Sequence, residues 1–266
     1  MNSKELKYLI RSKSLSFGLN LRDKSHNLKS YRWNKKEVFY RSSSSDMDLI
    51  YQILLKSNHK AEYFFPLQVK PKIIFDIGAN IGITSIFLAK LFPNACIYSF
   101  EPLIDNFEVL KKNTYEYKNI EVFNFGLGSN NGSFKVYLSE DVENFGGVSF
   151  FPKKKGHKSE SYTMCEVKNT NDVIKELGIT FIDLIKIDTE GAEYDILTSL
   201  NNKILQNISW ITGELHGNRD FELLDYLDSL GFSVSFKKLI NNKLFMFSAG
   251  KKEIIDQLTR KEVRIL

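Results

Sequence analysis

Lys72–Ile77 reads KIIFDI, a near-continuous apolar run, and it opens a stretch in which short apolar runs alternate with helix-period segments as far as residue 236. A run apolar at successive positions, not alternate ones, is a strand covered on both faces. Cys96–Phe100, Ile120–Phe125, Ile182–Ile187 and Trp210–Leu215 repeat the pattern. Between them Thr84–Phe92, Asp105–Tyr117, Asn171–Leu177, Ala192–Leu200 and Phe221–Leu230 read as helices. Polar, turn-rich stretches flank Ser133–Leu138 and suggest a hairpin. Phe232–Phe236 and Lys243–Ser248 read as a final antiparallel pair turning at Asn241–Asn242. The expectation is an α/β fold, a doubly wound and mostly parallel sheet with helices on both faces. Such sheets bind ligands beyond the carboxyl ends of their strands, where the strand order reverses.

The sharpest motif stands there. Asp76-Ile77-Gly78-Ala79-Asn80-Ile81-Gly82 follows the first apolar run and opens a helix. Gly78 and Gly82 remove side chains where the chain turns and a ligand comes close. Only two glycines occur, so the pyrophosphate cradle of a dinucleotide site is poorly supported. Asp76 ends the strand and can accept from an amine. Glu101, 19 residues beyond Gly82, ends the second strand and suits a two-point grip on ribose hydroxyls. Acid, glycine loop and acid together fit a nucleoside that carries no phosphates, and S-adenosylmethionine is that ligand. Topology places Gly126 and Leu127, after the third strand, beside the adenine.

A second motif, Asp183-Leu-Ile-Lys-Ile-Asp188-Thr-Glu190-Gly191-Ala-Glu193, leaves the fourth strand toward the same crevice. With FDIGANIG (Phe75–Gly82), FEP (Phe100–Pro102) and LIKIDTEGAE (Leu184–Glu193), the chain resembles the FkbM family of S-adenosylmethionine-dependent O-methyltransferases, over roughly residues 38–250. The resemblance implies a Rossmann-like, seven-stranded methyltransferase sheet with its last strand antiparallel. It implies the cofactor set Asp76, Gly78, Ala79, Asn80, Gly82, Glu101, Pro102, Gly126, Leu127 and Asp188, with S-adenosylhomocysteine as product. It also implies methyl transfer to a hydroxyl, often of a sugar, a glycan or a polyketide-like product.

Methyl transfer from a sulfonium is an in-line displacement, which requires alignment and, for a sugar hydroxyl, a base. Candidates are Asp188, Glu190, Glu214 and His216. Glu214 and His216 alternate on one strand and point the same way, so the Glu can orient the His and raise its basicity. Glu193 reads as favourable charge in the first turn of a helix, and Lys186 as a mid-strand partner for a carboxylate. His26, His59 and His157 read as solvated. Asp188, Glu190, Glu214 and His216 could also serve a divalent ion, but no second carboxylate pair stands at a defined spacing. We expect no metal.

The charge is uneven. Residues 1–60 hold 13 basic and 5 acidic side chains, whereas the whole chain of 266 carries only +5. Residues 1–65 read as a basic extension with a short strand at Val38–Tyr40 and a helix at Asp46–Lys56 capped by Ser45 or Asp46. Residues 66–250 read as the methyltransferase domain and 251–266 as a tail. Residues 1–35 are expected to be irregular or partly helical. The extension suits a substrate phosphate contact or an oligomer arm, and charge reversal at Lys35 and Lys36 should raise the Michaelis constant for a nucleotide-activated sugar. The run Lys153–Lys158, hinged at Phe145–Gly147, is a solvated loop or a flap over an anionic substrate. Nucleic acid is a weak candidate, because IDTEGAE replaces the [DN]-P-P-[YF] loop of amino-methylating enzymes. Membrane docking needs a basic amphipathic helix, and residues 1–20 show one only faintly, in Leu6, Leu9, Ile10 and Phe17. Two cysteines, no run long enough to span a bilayer and no apolar leader suggest a cytoplasmic protein without membrane insertion. The sequence reading is an O-methyltransferase acting on a carbohydrate hydroxyl, a nucleotide-activated sugar for a bacterial capsule or other surface polysaccharide. Its rivals are a non-catalytic nucleoside-binding protein and a methyltransferase acting on a lipid, a polyketide-like product or a macromolecule.

Overall fold

The structure is a computed structural model that describes residues 3–56, 63–138, 148–149, 162–216, 219–238 and 245–263. His59, His157, the lysine run 153–158 with its hinge 145–147, and the turn Asn241–Asn242 lie outside the described residues.

Two helices, α1 (Ser3–Ser12) and α2 (Leu15–Leu19), precede a hairpin of β1 (Leu28–Trp33) and β2 (Lys36–Arg41). Helix α3 (Ser45–Leu49) widens into π-helical bonding over Ile50–Leu55. Then come β3 (Ile73–Ile77), α4 (Ile83–Leu91), β4 (Cys96–Phe100), α5 (Ile104–Thr114) and β5 (Ile120–Phe123). A small sheet holds β6 (Gly126–Gly128), β7 (Gly132–Leu138), β8 (Val148–Ser149) and β9 (Tyr162–Asn169). The chain continues through α6 (Thr170–Glu176), β10 (Leu184–Ile187), α7 (Glu193–Ser199), α8 (Asn202–Asn207), β11 (Trp210–Leu215), α9 (Asp220–Ser229), β12 (Phe232–Lys238) and β13 (Phe245–Lys251), and short helices follow.

The main sheet has seven strands in the order β12-β13-β11-β10-β3-β4-β5. β13, the last strand, runs antiparallel between β11 and β12, and the other neighbours are parallel. The order reverses between β3 and β10, so the two motifs emerge side by side. Apolar positions along these strands serve two cores. Ile74, Leu184 and Trp210 face α4 and the N-terminal elements, whereas Phe75, Ile185 and Ile211 belong to the core that α6 to α9 close. No helix among the described residues is long and apolar enough to cross a membrane.

The N-terminal segment is partly helical, as expected, but it is packed into the domain and not appended to it. It is folded, and Tyr8, Phe17, Tyr40 and Met47 sit in the same core as Ile74 and Leu88. Asn113 of α5 stitches β2 to the sheet: its Oδ1 accepts from Phe39 N (2.6 Å), and its Nδ2 donates to the carbonyls of Phe39 (3.0 Å) and Ile81 (2.7 Å). The cap of α3 is Ser44, whose hydroxyl accepts from Asp46 N, and not Ser45 or Asp46. Asp46 is fully buried and is engaged instead by the Arg41 guanidinium at 2.7 and 2.9 Å.

The expected role of Lys35 and Lys36 does not fit their position. Asn34 and Lys35 both have positive φ (50° and 70°) and form the β1–β2 turn. Lys36 donates to Glu116 O (2.8 Å) and lies 3.6 Å over the Tyr117 ring. Those residues follow the carboxyl end of α5 and precede β5, at the far end of the sheet from both motifs. Reversing their charge should therefore leave acceptor kinetics alone.

Candidate active site

A crevice of about 650 Å³, open to solvent, lies at the carboxyl ends of β3, β4 and β10. Gly78 and Asn80 of the first motif line it, with Glu101 and Pro102 after β4. Gly126 and Leu127 close one side, on β6 of the small sheet, and Asp188 and Glu190 the other. Ala79 is buried just behind the wall and donates to Phe100 O (2.9 Å). Gly82 caps α4 at φ 84°, where a Cβ would meet Leu110. Asp76 lies beneath the loop, not on the wall, and accepts from Ser85 Oγ (2.6 Å).

The two motifs touch at Gly78. Its φ is +74°, and a Cβ there would stand 1.8 Å from Asp188 O. Only a glycine lets the first loop pass that close to the second. Lys186 ties the same junction from below. Its buried ammonium donates to Gly78 O (2.7 Å) and lies 3.5 Å from Asp76 and 4.0 Å from Asp188. Burial alone would lower its pKa, but Asp76 and Asp188 outweigh burial and raise it.

Glu101 has the geometry to accept two hydroxyls. Asn80 N donates to Oε2 (2.8 Å) and Leu103 N to Oε1 (3.0 Å). Each oxygen keeps a lone pair for a hydroxyl. Burial pushes this carboxyl up to about 7, although the two backbone donors oppose the shift. Asn80 Oδ1, beside it on the wall, is buried with no hydrogen-bond partner. A polar acceptor left bare at the crevice and a carboxylate with free lone pairs fit a nucleoside with ribose hydroxyls and an amine.

Beyond the crevice four carboxylates surround His216. Its Nδ1 is 3.3 Å from Glu193 Oε1 and 3.9 Å from Asp188 Oδ1. Its Nε2 is 3.1 Å from Glu214 Oε2 and 3.8 Å from Glu190 Oε2. A neutral imidazole donates from one nitrogen only, so carboxylates at both nitrogens select the imidazolium. Burial would lower its pKa, but bonds to Glu193 and Glu214, with the charges of Asp188 and Glu190, carry it up to about 11. With a carboxylate at each nitrogen and its pKa raised, His216 fits a fixed cation better than the base that its place in the sequence suggested. Glu193 opens α7, as the dipole reading expects, but it also accepts from Thr189 N (2.9 Å) and Gly191 N (3.3 Å). Against the cost of its burial, His216 keeps its pKa low. Glu190 is the opposite case. Burial, with Asp188 and Glu214 adding repulsion, pushes it up to about 8 despite His216. Its backbone is left-handed, at φ 57°, a strained state that clusters at functional sites. Burial also raises Asp188.

Asp188, Glu193 and His216 offer ligand atoms within 4.8 Å of one another. Among them His216 and Glu193 already engage each other at 3.3 Å and Glu193 also accepts from the loop N–H groups, whereas Asp188 Oδ1 stands 3.9 Å from the imidazole and its Oδ2 accepts from Tyr63.

Tyr63, from the N-terminal segment, was invisible in the sequence. Its buried hydroxyl donates to Asp188 Oδ2 (2.9 Å) across 125 positions. Arg41 likewise donates to Asn106, a residue of the crevice wall (2.8 Å). Replacing Tyr63 by Phe should cost about 1.5 kcal/mol and lower the thermal midpoint by roughly 3–6 °C. An unchanged melting curve would deny that the hydroxyl braces the loop.

The Methyltransferase FkbM domain matches residues 76–234, from the glycine loop to β12. The chain belongs to the FkbM methyltransferase family. Membership makes S-adenosylmethionine the cofactor, in agreement with the Glu101 cradle. The chain is 27% identical to the AMB antimetabolite synthetase AmbE of Pseudomonas aeruginosa over 206 residues, 62% of this chain and only 10% of AmbE. It is 26% identical to the 2-O-methyltransferase NoeI of Sinorhizobium fredii over 49% of this chain and 58% of that protein. Among solved structures, the fibrillarin pre-rRNA processing protein of Methanococcus jannaschii shares the fold, with a TM-score of 0.50 at 13% identity over 85% of this chain and 84% of that one. In this FkbM-family chain, Tyr63 and Arg41 brace crevice-wall residues, Asp188 and Asn106, from outside the matched span.

Proposed function

We propose that this chain transfers a methyl group to a hydroxyl of a carbohydrate, on a sugar carrying no phosphate at the reacting end. The observation that carries this reading is the cage of carboxylates beside the donor crevice. Carboxylates hold hydroxyl donors well and repel a phosphate, so the cage favours a neutral polyol over the diphosphate end of an activated sugar. The 2-O-methyltransferase NoeI supports oxygen as the acceptor atom. A bacterial surface polysaccharide as the destination rests on analogy with the family.

When bound, S-adenosylmethionine supplies an electrophilic methyl on a sulfonium. The chain's residues do the rest. Glu101 and the loop at Gly78 fix the nucleoside, and Lys186 fixes the loop. His216, as a cation, keeps Glu193 ionised and holds Glu214 in place at 3.1 Å. Glu190 borders the crevice and would take the proton that the acceptor hydroxyl gives up on methylation.

Glu190 must be ionised to do so. A raised carboxyl pKa means that the active form accumulates as pH rises. Acceptor kcat/KM should climb up to a pH of about 8 and then level off. Glu190→Gln should flatten that climb and lower turnover by roughly 10²–10⁴-fold. A variant that keeps the climb would move the base role to Asp188 or Glu214. The substrate class is tested by incubating the full chain with S-adenosylmethionine and a panel of free sugars, glycosides and nucleotide-sugars, with mass detection of one added methylene. Gain confined to non-carbohydrate acceptors would overturn the reading, and gain confined to nucleotide-sugars would overturn the neutral-acceptor part.

A further inference from the structure

The first two helices are built inside out. Glu5 and Ser12 of α1 point inward with Tyr8, and Glu5 is held there by Arg22 at 2.7 Å. Leu6 and Ile10 point outward, 45% and 60% exposed, one helical turn apart. On α2, Phe17 and Gly18 are buried, while Leu15 and Leu19, again four apart, are 63% and 41% exposed. Leu28 of β1 is 39% exposed. These are five of the fourteen exposed large hydrophobic side chains among the described residues, gathered within positions 6–28. Gly18 lets α2 lie against α1, since a Cβ there would be 3.2 Å from Leu9 Cβ, so the two helices that carry four of these exposed aliphatics are packed side by side. Scattered surface leucines need no explanation, but a cluster on a face that should be polar does.

The same face is basic. Lys7, Arg11 and Lys13 are exposed between the aliphatic positions. The two acidic side chains of residues 1–35 are both neutralised within the segment, Glu5 by Arg22 and Asp23 by Lys29 at 2.9 Å. Aliphatic positions interleaved with lysine and arginine are the pattern of an element that lies in a bilayer interface. The aliphatics enter the acyl boundary, and the long cationic side chains reach back to lipid phosphates.

We propose that the α1–α2 face docks peripherally on an anionic lipid bilayer. A second copy of this chain is a poorer occupant, because a two-fold contact would press Lys7, Arg11 and Lys13 against their own equivalents. A nucleic acid would take the cations but leave four aliphatic side chains in water. The faint amphipathicity of the sequence is thereby sharpened: Leu9 and Phe17 face the protein, and Leu15 and Leu19 take their place on the outer face.

The test is flotation of the full chain with vesicles of phosphatidylcholine alone or with about 30 mol% phosphatidylglycerol. Binding to the anionic vesicles only, reversed near 0.5 M salt, is expected. A Lys7→Glu, Arg11→Glu, Lys13→Glu variant should lose affinity by roughly fivefold for each charge removed. A Leu6→Ser, Ile10→Ser, Leu15→Ser, Leu19→Ser variant should float with neither vesicle. Undiminished S-adenosylmethionine binding by both variants checks that they are folded. Absence of flotation at low salt overturns the proposal. So does an aliphatic variant that floats like the parent, or a dimer in sedimentation that these serines dissolve without any vesicle binding. None of these outcomes bears on the acceptor, so the proposal stands or falls apart from the methylation reading.

Discussion

Gly78→Ala should cripple the protein more than any other single methyl group added to the crevice. The new Cβ would fall 1.8 Å from Asp188 O and 2.9 Å from its carbonyl carbon, both backbone atoms that no rotamer can move. The left-handed φ of +74° adds about 1 kcal/mol for any residue with a Cβ. Relief requires the glycine loop and the Asp188 loop to separate. That movement would stretch the Lys186 bond to Gly78 O and the Asp188 N to Ile77 O bond (3.0 Å). The expected loss is at least about 3 kcal/mol, which lowers the midpoint by roughly 6–12 °C in a chain of this size. Methyl transfer should fall below detection even where the variant folds, since both walls of the crevice shift together. Differential scanning calorimetry and donor titration read the two effects separately. A variant with the parent's midpoint and the parent's donor affinity would show that the loops are not in the contact described.

Glu101→Ala should act on binding almost alone. On the reading that Glu101 grips the ribose, the variant would remove two charge-assisted contacts to the nucleoside, and it leaves the Asn80 and Leu103 N–H groups without their acceptor. About 3 kcal/mol, roughly 100-fold in Kd, is the expected loss in isothermal titration. The pH dependence follows from burial. With its carboxyl pushed up to about 7 in the empty crevice, Glu101 is partly protonated at neutral pH. The ionised form would accept from both hydroxyls of a ribose held there, so donor affinity should improve as pH rises through about 7 and decline below it. The variant should lose this dependence. If it retains the slope, another group, with Asp188 foremost, controls donor binding.

Much of this site was legible because its chemistry is local in sequence. The glycine loop, Glu101 and the second motif each sit directly after an apolar strand, and a doubly wound sheet allows few places for such loops to go. Gly126 and Leu127 could be placed by topology alone. What the sequence concealed depends on distances that no spacing encodes. Tyr63 reaches Asp188 from a stretch with no motif. The β1–β2 hairpin turns on Asn34-Lys35, which lacks the glycine that usually marks such a turn. The state of His216 could not be read, because pairing it with Glu214 suggested a base, and only the approach of Glu193 to its other nitrogen makes it a fixed cation. Lys35 and Lys36 were misplaced for a related reason. Net charge reports how many cations a segment carries but not which end of the sheet receives them.

Asn113 has a consequence for how this protein can vary. A single side-chain amide closes three bonds, two to β2 and one to the glycine loop, so the N-terminal strand and the turn at Ile81 are clamped by the same two atoms, Oδ1 and Nδ2. Exchanging the first 56 residues for those of a relative would not be the grafting of a tail. It would replace nine of the 26 buried side chains of one core and one jaw of that clamp. The recognisable domain and its less recognisable preface therefore have to be inherited, trimmed or redesigned as one object.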